Sequence, residues 1–340
     1  MPTTPPDIPA PGPPRFDDAA GAWLLTRYAD VLAALHHPLL TAGAAWGGTD
    51  LDRAVHLNFR SQSAAAAAGM LDERLSQMAL LADGMAGTLP QDRPVDLAGE
   101  LAQPWSLQLA CSLSGPSGGA QRMAALSAGI FAAAAEPLDA ALRARAEQST
   151  LELAAMFSGP LAAFHLQAFI ALSQTLPCFL ANAWLALLHD PENAALLGGQ
   201  PQLMPAAIEE LLRHSGPARA QFRRATADVE LGGAIIPGGS RVALMLAAAN
   251  RDPQHFSRPD TLDFHRPAPR HLAFGDGRHA CIGAPVVRAA AAAATAAFIR
   301  HFAGARLARP VEWRGGFAIC APASLFVSRQ SPDPGSERAR

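Results

Sequence analysis

Lysine is absent from the 340-residue chain, and all 27 basic residues are arginine, which indicates a codon bias more than a chemical requirement. Charged residues make up only 16%, the formal net charge is -2, and no basic arm is present, so the sequence does not suggest a nucleic-acid-binding protein. Half of the residues are hydrophobic, which is ample for a large buried core and excludes disordered and fibrous classes.

Cysteine is also scarce. The four cysteines, Cys111, Cys178, Cys281 and Cys320, are widely scattered and form no CxxC pair. This spacing suggests neither a disulfide framework nor a zinc ribbon. A reducing cytoplasm is the expected location.

No membrane segment is expected. The proline-rich start, Met1 to Pro14, has neither the charged region nor the apolar region of a signal peptide. Pro160 to Leu188 is long and apolar enough to span a bilayer, but seven polar or proline residues interrupt it. We therefore predict a long central helix in a soluble protein, with a single domain over 15–329 between disordered tails at 1–14 and 330–340.

The hydrophobic pattern predicts a mainly helical first half and a small sheet in the second half. Leu39 to Val55 lacks periodicity and is predicted to be a long loop, which could cover a pocket. The predicted elements are a strand over 22–28, helices over 29–36, 57–89, most of 101–157 and 284–302, and strands near 229–236, 317–320 and 325–328.

The most specific motif is a glycine-rich loop, Phe274 to Gly283, that presents Cys281 just before a predicted helix. Its glycines let the backbone pass close to a flat partner, and the amide groups at the start of the helix favour thiolate over thiol. A thiolate held in this way can ligate iron. A dinucleotide loop would need another glycine at Ala280, and a zinc site would need more ligands than His271, His279 and the cysteine.

At this loop the sequence resembles the cytochrome P450 family. The resemblance implies a mainly α fold with a small β region, trimmed at the N-terminus and between Phe157 and Pro160. It also implies heme b as cofactor, with the Cys281 thiolate as axial ligand to the iron. The heme-binding signature of that family is matched at Phe274, Gly275, Gly277, His279, Cys281 and Gly283.

A second family motif precedes the loop. Glu210 and Arg213 match the ExxR motif, whose spacing places both charges on one helical face, and Arg266 matches the third member of the same buried network. Alone, such a pair is common on solvated helices. Its order and distance before the cysteine loop favour the structural network that the resemblance implies.

The resemblance also implies contacts to the two heme carboxylates. The matching positions are Arg60, Arg223 and His279, with His56 as a fourth candidate. Arginine suits this role because it can pair with a buried carboxylate in bidentate geometry. The adjacent Arg224 is the alternative to Arg223, and a histidine such as His56 is also common at a surface or a helix cap.

The central helix resembles the distal helix of the family, but its motif is altered. Ala171 to Thr175 aligns with Ala-Gly-x-Asp/Glu-Thr, so Thr175 is retained while Leu172 replaces glycine and Gln174 replaces the acid. Thr175 and Gln174 are the candidate catalytic residues, although glutamine cannot cycle a proton near neutral pH. Pro177 removes the N–H that would bond the Ser173 carbonyl. Proton delivery is therefore in question, and Thr175 could instead be structural.

Substrate-pocket residues are predicted on the face of the central helix that precedes Thr175, at spacings of three and four. Segments 218–222 and 317–319 are further candidates. Ordinary core packing is the alternative for all of them. The predicted pocket residues of the helix are Phe164, Gln167, Ala168, Ala171 and Leu172.

The resemblance implies a bacterial, cytoplasmic monooxygenase that uses dioxygen to oxidise a small organic molecule of secondary metabolism. Its electrons would come from a ferredoxin or flavodoxin and a reductase, and its substrate could be free or tethered to a carrier protein. Two alternatives remain: atypical heme chemistry, such as peroxide use, dehydration, rearrangement or nitrogen oxidation, and a heme-binding scaffold without turnover.

Overall fold

The structure is a computed structural model that describes residues 7–42, 74, 76–115, 119–159, 161–267 and 270–329. Helices account for most of the described residues before position 215, as the hydrophobic pattern predicts. The helices are α1 (Tyr28–His36), α2 (76–88), α3 (Gln103–Ser114), α4 (Ala120–Ala135), α5 (Ala140–Ala154), α6 (Ala162–Ile170), α7 (Leu176–His189), α8 (Pro191–Gly199), α9 (Met204–Ser215), α10 (Leu246–Ala249) and α11 (Ala284–His301).

The strands form small sheets beside the helices. The largest described sheet has the order β1-β2-β8-β5-β3, in which only β2 and β8 are parallel. The strands are β1 (Arg15–Asp17), β2 (Ala22–Leu25), β3 (Leu40–Thr41), β4 (Val95–Asp96), β5 (Gln221–Ala225), β6 (Val229–Leu231), β7 (Ala234–Ile236), β8 (Arg241–Leu244), β9 (Arg306–Leu307), β10 (Glu312–Gly315), β11 (Cys320–Ser324) and β12 (Phe326–Ser328).

The predicted central helix is confirmed as a continuous helical stretch, Ala162–His189, made of α6, a π-helical turn and α7. It is long and apolar enough to cross a membrane, but 72% of its most apolar window is buried inside the protein. Such burial is typical of a core helix. The α7 part lies against α9, α11 and β11, so it forms the middle of the largest hydrophobic core.

Alanine explains how α11 packs against the central helix. Ala290, Ala291 and Ala294 are almost fully buried, and their small side chains let neighbouring helices approach closely. Trp184 stacks on Phe298 of α11 with ring centroids 5.3 Å apart. Its indole N–H donates to the Thr295 hydroxyl at 3.3 Å, so the polar edge of this buried ring is also paired.

The last predicted strands are partly wrong. The chain turns at 316–319 instead of forming a strand there, with one isolated bridge between Ala218 and Ile319, and β11 begins only at Cys320. The turn follows directly after Gly315, the last residue of β10, whose φ of 104° lies in the left-handed region that favours glycine. A Cβ at this position would meet the Ile319 carbonyl oxygen at 2.2 Å.

The proline-rich start differs from the expected disordered tail over 1–14, because its described part, 7–14, is held to the fold. The Gly12 backbone exchanges two hydrogen bonds with the Thr26 hydroxyl, at 2.9 and 3.1 Å. Arg219 donates to the Asp7 carbonyl oxygen at 2.6 Å. Prolines and alanines give no periodic pattern, so these long-range contacts were not visible in the sequence.

Candidate functional site

The cysteine loop is pressed between α1 and β5. Gly275 and Gly277 both have positive φ, 67° and 68°. A Cβ at Gly277 would lie 3.1 Å from the His36 ring, and one at Gly275 would lie 3.3 Å from the Gln221 amide. The positive φ favours glycine at both positions, and a Cβ would make a tight contact with these neighbours.

The loop closes on itself just before α11. The backbone N–H of Cys281 donates to the Phe274 carbonyl oxygen at 2.9 Å, and a short 3-10 turn, Gly277–His279, lies between them. Cys281 is exposed, and the half-buried His279 ends the 3-10 turn. The helix α11 begins three residues after the cysteine, so its first amide groups lie close to the loop.

The other cysteines are less suited to bind a ligand. Cys178 and Cys320 are buried and Cys111 is half-buried. Burial raises the pKa of all three thiols, which favours the neutral form. Cys281 is the one exposed cysteine, in agreement with its position at the tip of a closed glycine loop.

Arg223 is a buried cation on β5, next to the loop. It is 6% exposed, and it donates to the Phe222 carbonyl oxygen at 2.8 Å and to Gln221 Oε1 at 3.2 Å. Within the described ranges, no carboxylate forms an ion pair with it. Burial, together with repulsion from Arg278, lowers the pKa of Arg223 to about 10. A buried guanidinium without a carboxylate is costly, so this position favours an anionic partner.

The structure brings the ExxR residues together with Arg266. Arg213 donates two hydrogen bonds to the Glu210 carboxylate, both at 2.8 Å, and Arg266 Nε lies 3.1 Å from each oxygen of the same group. Glu210 and Arg213 are each 2% exposed. Arg213 also donates to three backbone carbonyl oxygens, those of Asn250, Pro259 and Thr261.

A neighbouring cluster was missed from the sequence. Glu209 receives two hydrogen bonds from Arg288 at 2.6 and 2.9 Å, and its carboxylate lies 3.3 Å from His271 Nε2. Burial opposes ionisation of Glu209, but the nearby His271 and the hydrogen bonds from Arg288 outweigh it and hold the pKa of Glu209 at about 2. The Arg288 guanidinium also covers the Phe274 ring at 4.8 Å, so the cluster fastens the loop to α9 and α11. The one signal of this cluster in the sequence is that Glu209 directly precedes Glu210 of the ExxR motif.

The distal helix is distorted at the altered motif. Ala171–Thr175 forms a π-helical turn, followed by Pro177 in the first turn of α7. The expectation that proline leaves the Ser173 carbonyl free is wrong, because Gln103 of α3 donates to that oxygen at 2.9 Å. A side chain therefore replaces the missing backbone donor.

Gln174 points its amide at α4. Its Nε2 donates to Ser127 Oγ at 2.9 Å and lies 3.4 Å from the Ala124 carbonyl oxygen. Ser127 Oγ also lies 3.3 Å from Ser173 Oγ, and Gln174 is 5% exposed. Thr175, at the end of the π turn, is half-buried.

The other candidate residues are dispersed. Phe164 and Leu172 are buried in the main hydrophobic core, whereas Gln167 is exposed and Ala168 and Ala171 are half-buried. The assignment of these five residues to the substrate pocket stays a prediction. The two remaining candidates for the heme carboxylates, His56 and Arg60, lie outside the described residues.

Comparison with known proteins places this arrangement in a family. The family model for cytochrome P450 matches residues 200–305, which include the ExxR motif and the cysteine loop. Vitamin D(3) 25-hydroxylase from Pseudonocardia autotrophica is 31% identical over 311 residues, covering 78% of this chain and 77% of that enzyme. The crystal structure of CYP109B1 from Bacillus subtilis, a versatile cytochrome P450 enzyme, superposes with a TM-score of 0.83 at 25% identity, covering 93% of this chain and 96% of the other.

The chain belongs to the cytochrome P450 family. Nocardicin C N-oxygenase from Nocardia uniformis subsp. tsuyamanensis is more similar over a shorter stretch, with 42% identity over 155 residues. That alignment covers 44% of this chain and 39% of the enzyme. The chain aligns with only 33–40% of the length of this enzyme and of two further cytochrome P450 relatives.

Members of this family bind heme through a cysteine thiolate, and the residues present fit that group. The positive charge on β5 is complementary to heme. Heme carries two carboxylates, and Arg223 is a buried guanidinium that lacks a carboxylate partner in the described ranges. The glycine loop beside it allows close approach of a flat ring system, and Cys281 is exposed at its end.

Proposed function

We propose that this chain is a bacterial heme-thiolate monooxygenase in which Cys281 is the ligand to the heme iron. The observation that carries the proposal is the glycine loop that closes at Phe274 and ends in an exposed cysteine before α11. When bound, thiolate-ligated heme supplies reductive activation of dioxygen, because electron donation from sulfur favours O–O cleavage. Charge stabilisation, structural support and proton transfer are assigned to groups of the protein itself.

Near Cys281, groups of the protein stabilise the thiolate and would pair with the heme carboxylates. The first amide groups of α11 favour the thiolate at Cys281. Arg223 and His279 would pair with the heme carboxylates, and His56 and Arg60 are further candidates for the same role. Glu210 and Arg213 of α9, with Arg266, join that helix to the segment 250–266 that precedes the loop, without touching the reacting atoms.

On the distal side, the Thr175 hydroxyl is the group that we assign to proton transfer. Gln174 cannot lose a proton near neutral pH, and its amide is already bonded to Ser127. This bond favours a second candidate function, atypical heme chemistry such as peroxide use, dehydration, rearrangement or nitrogen oxidation. Product assays with peroxide alone, against reductase with dioxygen, separate the two, and inactivity with peroxide would exclude the peroxide version.

The test of the ligand is substitution of single cysteines. Cys281→Ser removes the thiolate, so the reduced, carbon-monoxide-bound spectrum of a thiolate-ligated heme and the product should both disappear. Cys111→Ser, at a half-buried cysteine of α3, is the control and should retain both. A Cys281→Ser protein that keeps the thiolate spectrum would refute the assignment.

The substrate is proposed to be a small organic molecule of secondary metabolism. The names of two relatives, Nocardicin C N-oxygenase and Pentalenic acid synthase, each refer to a small organic compound, which supports this proposal. A heme spin-state titration against free and carrier-bound candidates tests this, because displacement of distal water shifts the Soret band. A response only to carrier-bound compounds would favour the tethered substrate. If no compound in a broad panel shifts the Soret band, and Thr175→Ala leaves the biological output unchanged, a heme-binding scaffold without turnover is favoured.

The proposed partners are a ferredoxin or flavodoxin with its reductase, and the proposed location is the cytoplasm. The apolar central helix is mostly buried within a single proposed domain over 15–329, which supports a soluble protein. Reconstitution with ferredoxin and flavodoxin in parallel tests the electron donor. Product formation with neither, while peroxide supports turnover, would contradict the partner assignment.

A further inference from the structure

A cavity lies away from the cysteine loop. Its volume is about 510 Å³, and its walls come from α7, the end of α9, residues 247–251, the β10–β11 hairpin and residues 7–8. We call it the arginine cavity, since Arg213, Arg219 and Arg251 line it. Cys281 and Thr175 are not among its lining residues, and its volume lies within the range of small-molecule sites.

The cavity carries concentrated positive charge. All five N–H groups of Arg213 donate to Glu210 or to backbone carbonyl oxygens. Arg251 donates to the His214 carbonyl oxygen at 2.9 Å, and its contact with the exposed Asp260 is longer, at 3.5 Å. Arg219 is 7% exposed.

The arginines in this cavity repel one another electrostatically. Burial lowers the pKa of Arg251, Asp260 opposes this shift, and the neighbouring Arg213 and Arg219 add to it. Burial, Arg251 and Arg213 lower the pKa of His214 to about 4, so this histidine is neutral at pH 7. An anion in the cavity would relieve this repulsion.

One lining residue, Asn182, has a buried side-chain oxygen that could accept a hydrogen bond from a ligand. Asn182 of α7 donates to the Cys320 carbonyl oxygen at 3.0 Å, but its buried Oδ1 has no partner among the described residues. Buried polar atoms are almost always paired, so this one indicates a missing donor. Trp313 and Leu185 add apolar surface beside it.

We propose that the arginine cavity binds a small hydroxycarboxylic acid. The carboxylate pairs with Arg219 and Arg251, the hydroxyl donates to Asn182 Oδ1, and the apolar body packs against Trp313 and Leu185. The assignment does not depend on the heme chemistry, because Arg219, Arg251 and Asn182 are not among the residues assigned to the iron, the heme carboxylates or proton transfer.

The experiment is titration of the heme-loaded protein with mandelate, by calorimetry and tryptophan fluorescence, while the Soret band is monitored. Phenylacetate lacks the hydroxyl and 1-phenyl-1,2-ethanediol lacks the carboxylate. We expect mandelate to bind, phenylacetate to bind more weakly and the diol not to bind, with no change in the Soret band. The Trp313→Phe protein should lose the fluorescence change and keep the heat of binding.

Variants assign the contacts. Arg219→Gln and Arg251→Gln should each weaken mandelate binding by about tenfold or more, because each removes a charged hydrogen bond. Arg251→Lys keeps the charge and should retain most of the affinity, even if the glutamine variant folds poorly. Asn182→Leu should abolish the difference between mandelate and phenylacetate. Arg241→Gln, at an exposed residue of β8 outside the cavity, is the control.

Several results would overturn the proposal. Absence of saturable binding at millimolar acid would exclude the site. Binding that is unchanged in both glutamine variants, or that shifts the Soret band, would place the acid elsewhere. Inorganic phosphate binding as tightly as mandelate, with no effect of Asn182→Leu, would leave a plain anion site and refute the hydroxy-acid assignment.

Discussion

Gln174 of the central helix donates a hydrogen bond from its side-chain amide to the Ser127 hydroxyl of α4, 2.9 Å away. Both residues are buried, and Ser127 in turn donates to the Ala124 carbonyl oxygen at 3.0 Å. The altered position of the distal motif is thus a link between two helices. This makes the exchange of acid for amide a structural change as well as a chemical one.

Restoring the acid should introduce a pH-dependent loss of stability. In Gln174→Glu the new carboxyl would be buried near the Ala124 carbonyl oxygen, which disfavours its ionised form and raises its pKa. The folded protein would then hold its proton longer than the unfolded chain. Its free energy of unfolding should therefore fall as pH rises above about 4.3, until the folded carboxyl ionises. Denaturant titrations of both proteins from pH 4 to 8 measure this, and parallel curves would contradict it.

Gln103 and Pro177 should show strong energetic coupling. Gln103→Leu leaves the buried Ser173 carbonyl without its donor and should cost about 1–3 kcal/mol of unfolding free energy. In a Pro177→Ala background the new backbone N–H can bond the same oxygen, so the cost of Gln103→Leu should shrink. A double-mutant cycle by chemical denaturation gives the coupling. Additive effects would show that the proline is not the reason for the Gln103 contact.

Arg223 should matter more for cofactor retention than for folding. Arg223→Met removes a buried cation without a carboxylate partner in the described ranges, so the heme-free protein should lose no stability. Heme transfer to an acceptor protein should become at least about tenfold faster, since a charge-assisted contact is lost. Arg224→Gln, at the exposed adjacent residue, is the control. Unchanged heme transfer in Arg223→Met would remove Arg223 from the heme site.

The buried ExxR network should be worth far more than an exposed ion pair. Arg213→Met leaves the Glu210 carboxylate short of two hydrogen bonds and should cost about 3–5 kcal/mol. Arg258→Ala breaks a 3.3 Å pair with Asp263 in which the arginine is 73% exposed, and should cost less than about 1 kcal/mol. Urea unfolding of the two variants compares them. Similar losses would mean that burial does not determine the contribution.

Glu209 should contribute to acid sensitivity. Its pKa in the folded protein is about 2, below its ordinary value of 4.5, so its stabilising effect is present above pH 4.5 and is lost as pH falls toward 2. Glu209→Gln should flatten the pH dependence of the unfolding free energy in this window. Glu230→Gln, at an exposed residue of β6, is a control that should leave it unchanged. Identical slopes in Glu209→Gln and the original protein would contradict the assigned pKa.

The sequence predicted those features that depend on local spacing. The glycine loop around Cys281, the three-residue spacing of Glu210 and Arg213, and the long apolar helix could all be identified from short patterns. The Gln174–Ser127 and Gln103–Ser173 contacts join residues 47 and 70 positions apart, and no local pattern encodes them. The same is true of the arginine cavity, whose walls come from distant segments.

The contact of Gly277 with α1 bears on how the protein is made. The loop rests on the His36 ring and on the Gln221 side chain, so it joins the first helix to residues near position 280. Chains fold progressively as the ribosome releases them, at about 5–20 residues per second. The cysteine loop therefore cannot reach its final form until most of the chain has emerged, and α1 must stay available until then. Capture of the cofactor is accordingly expected late in synthesis.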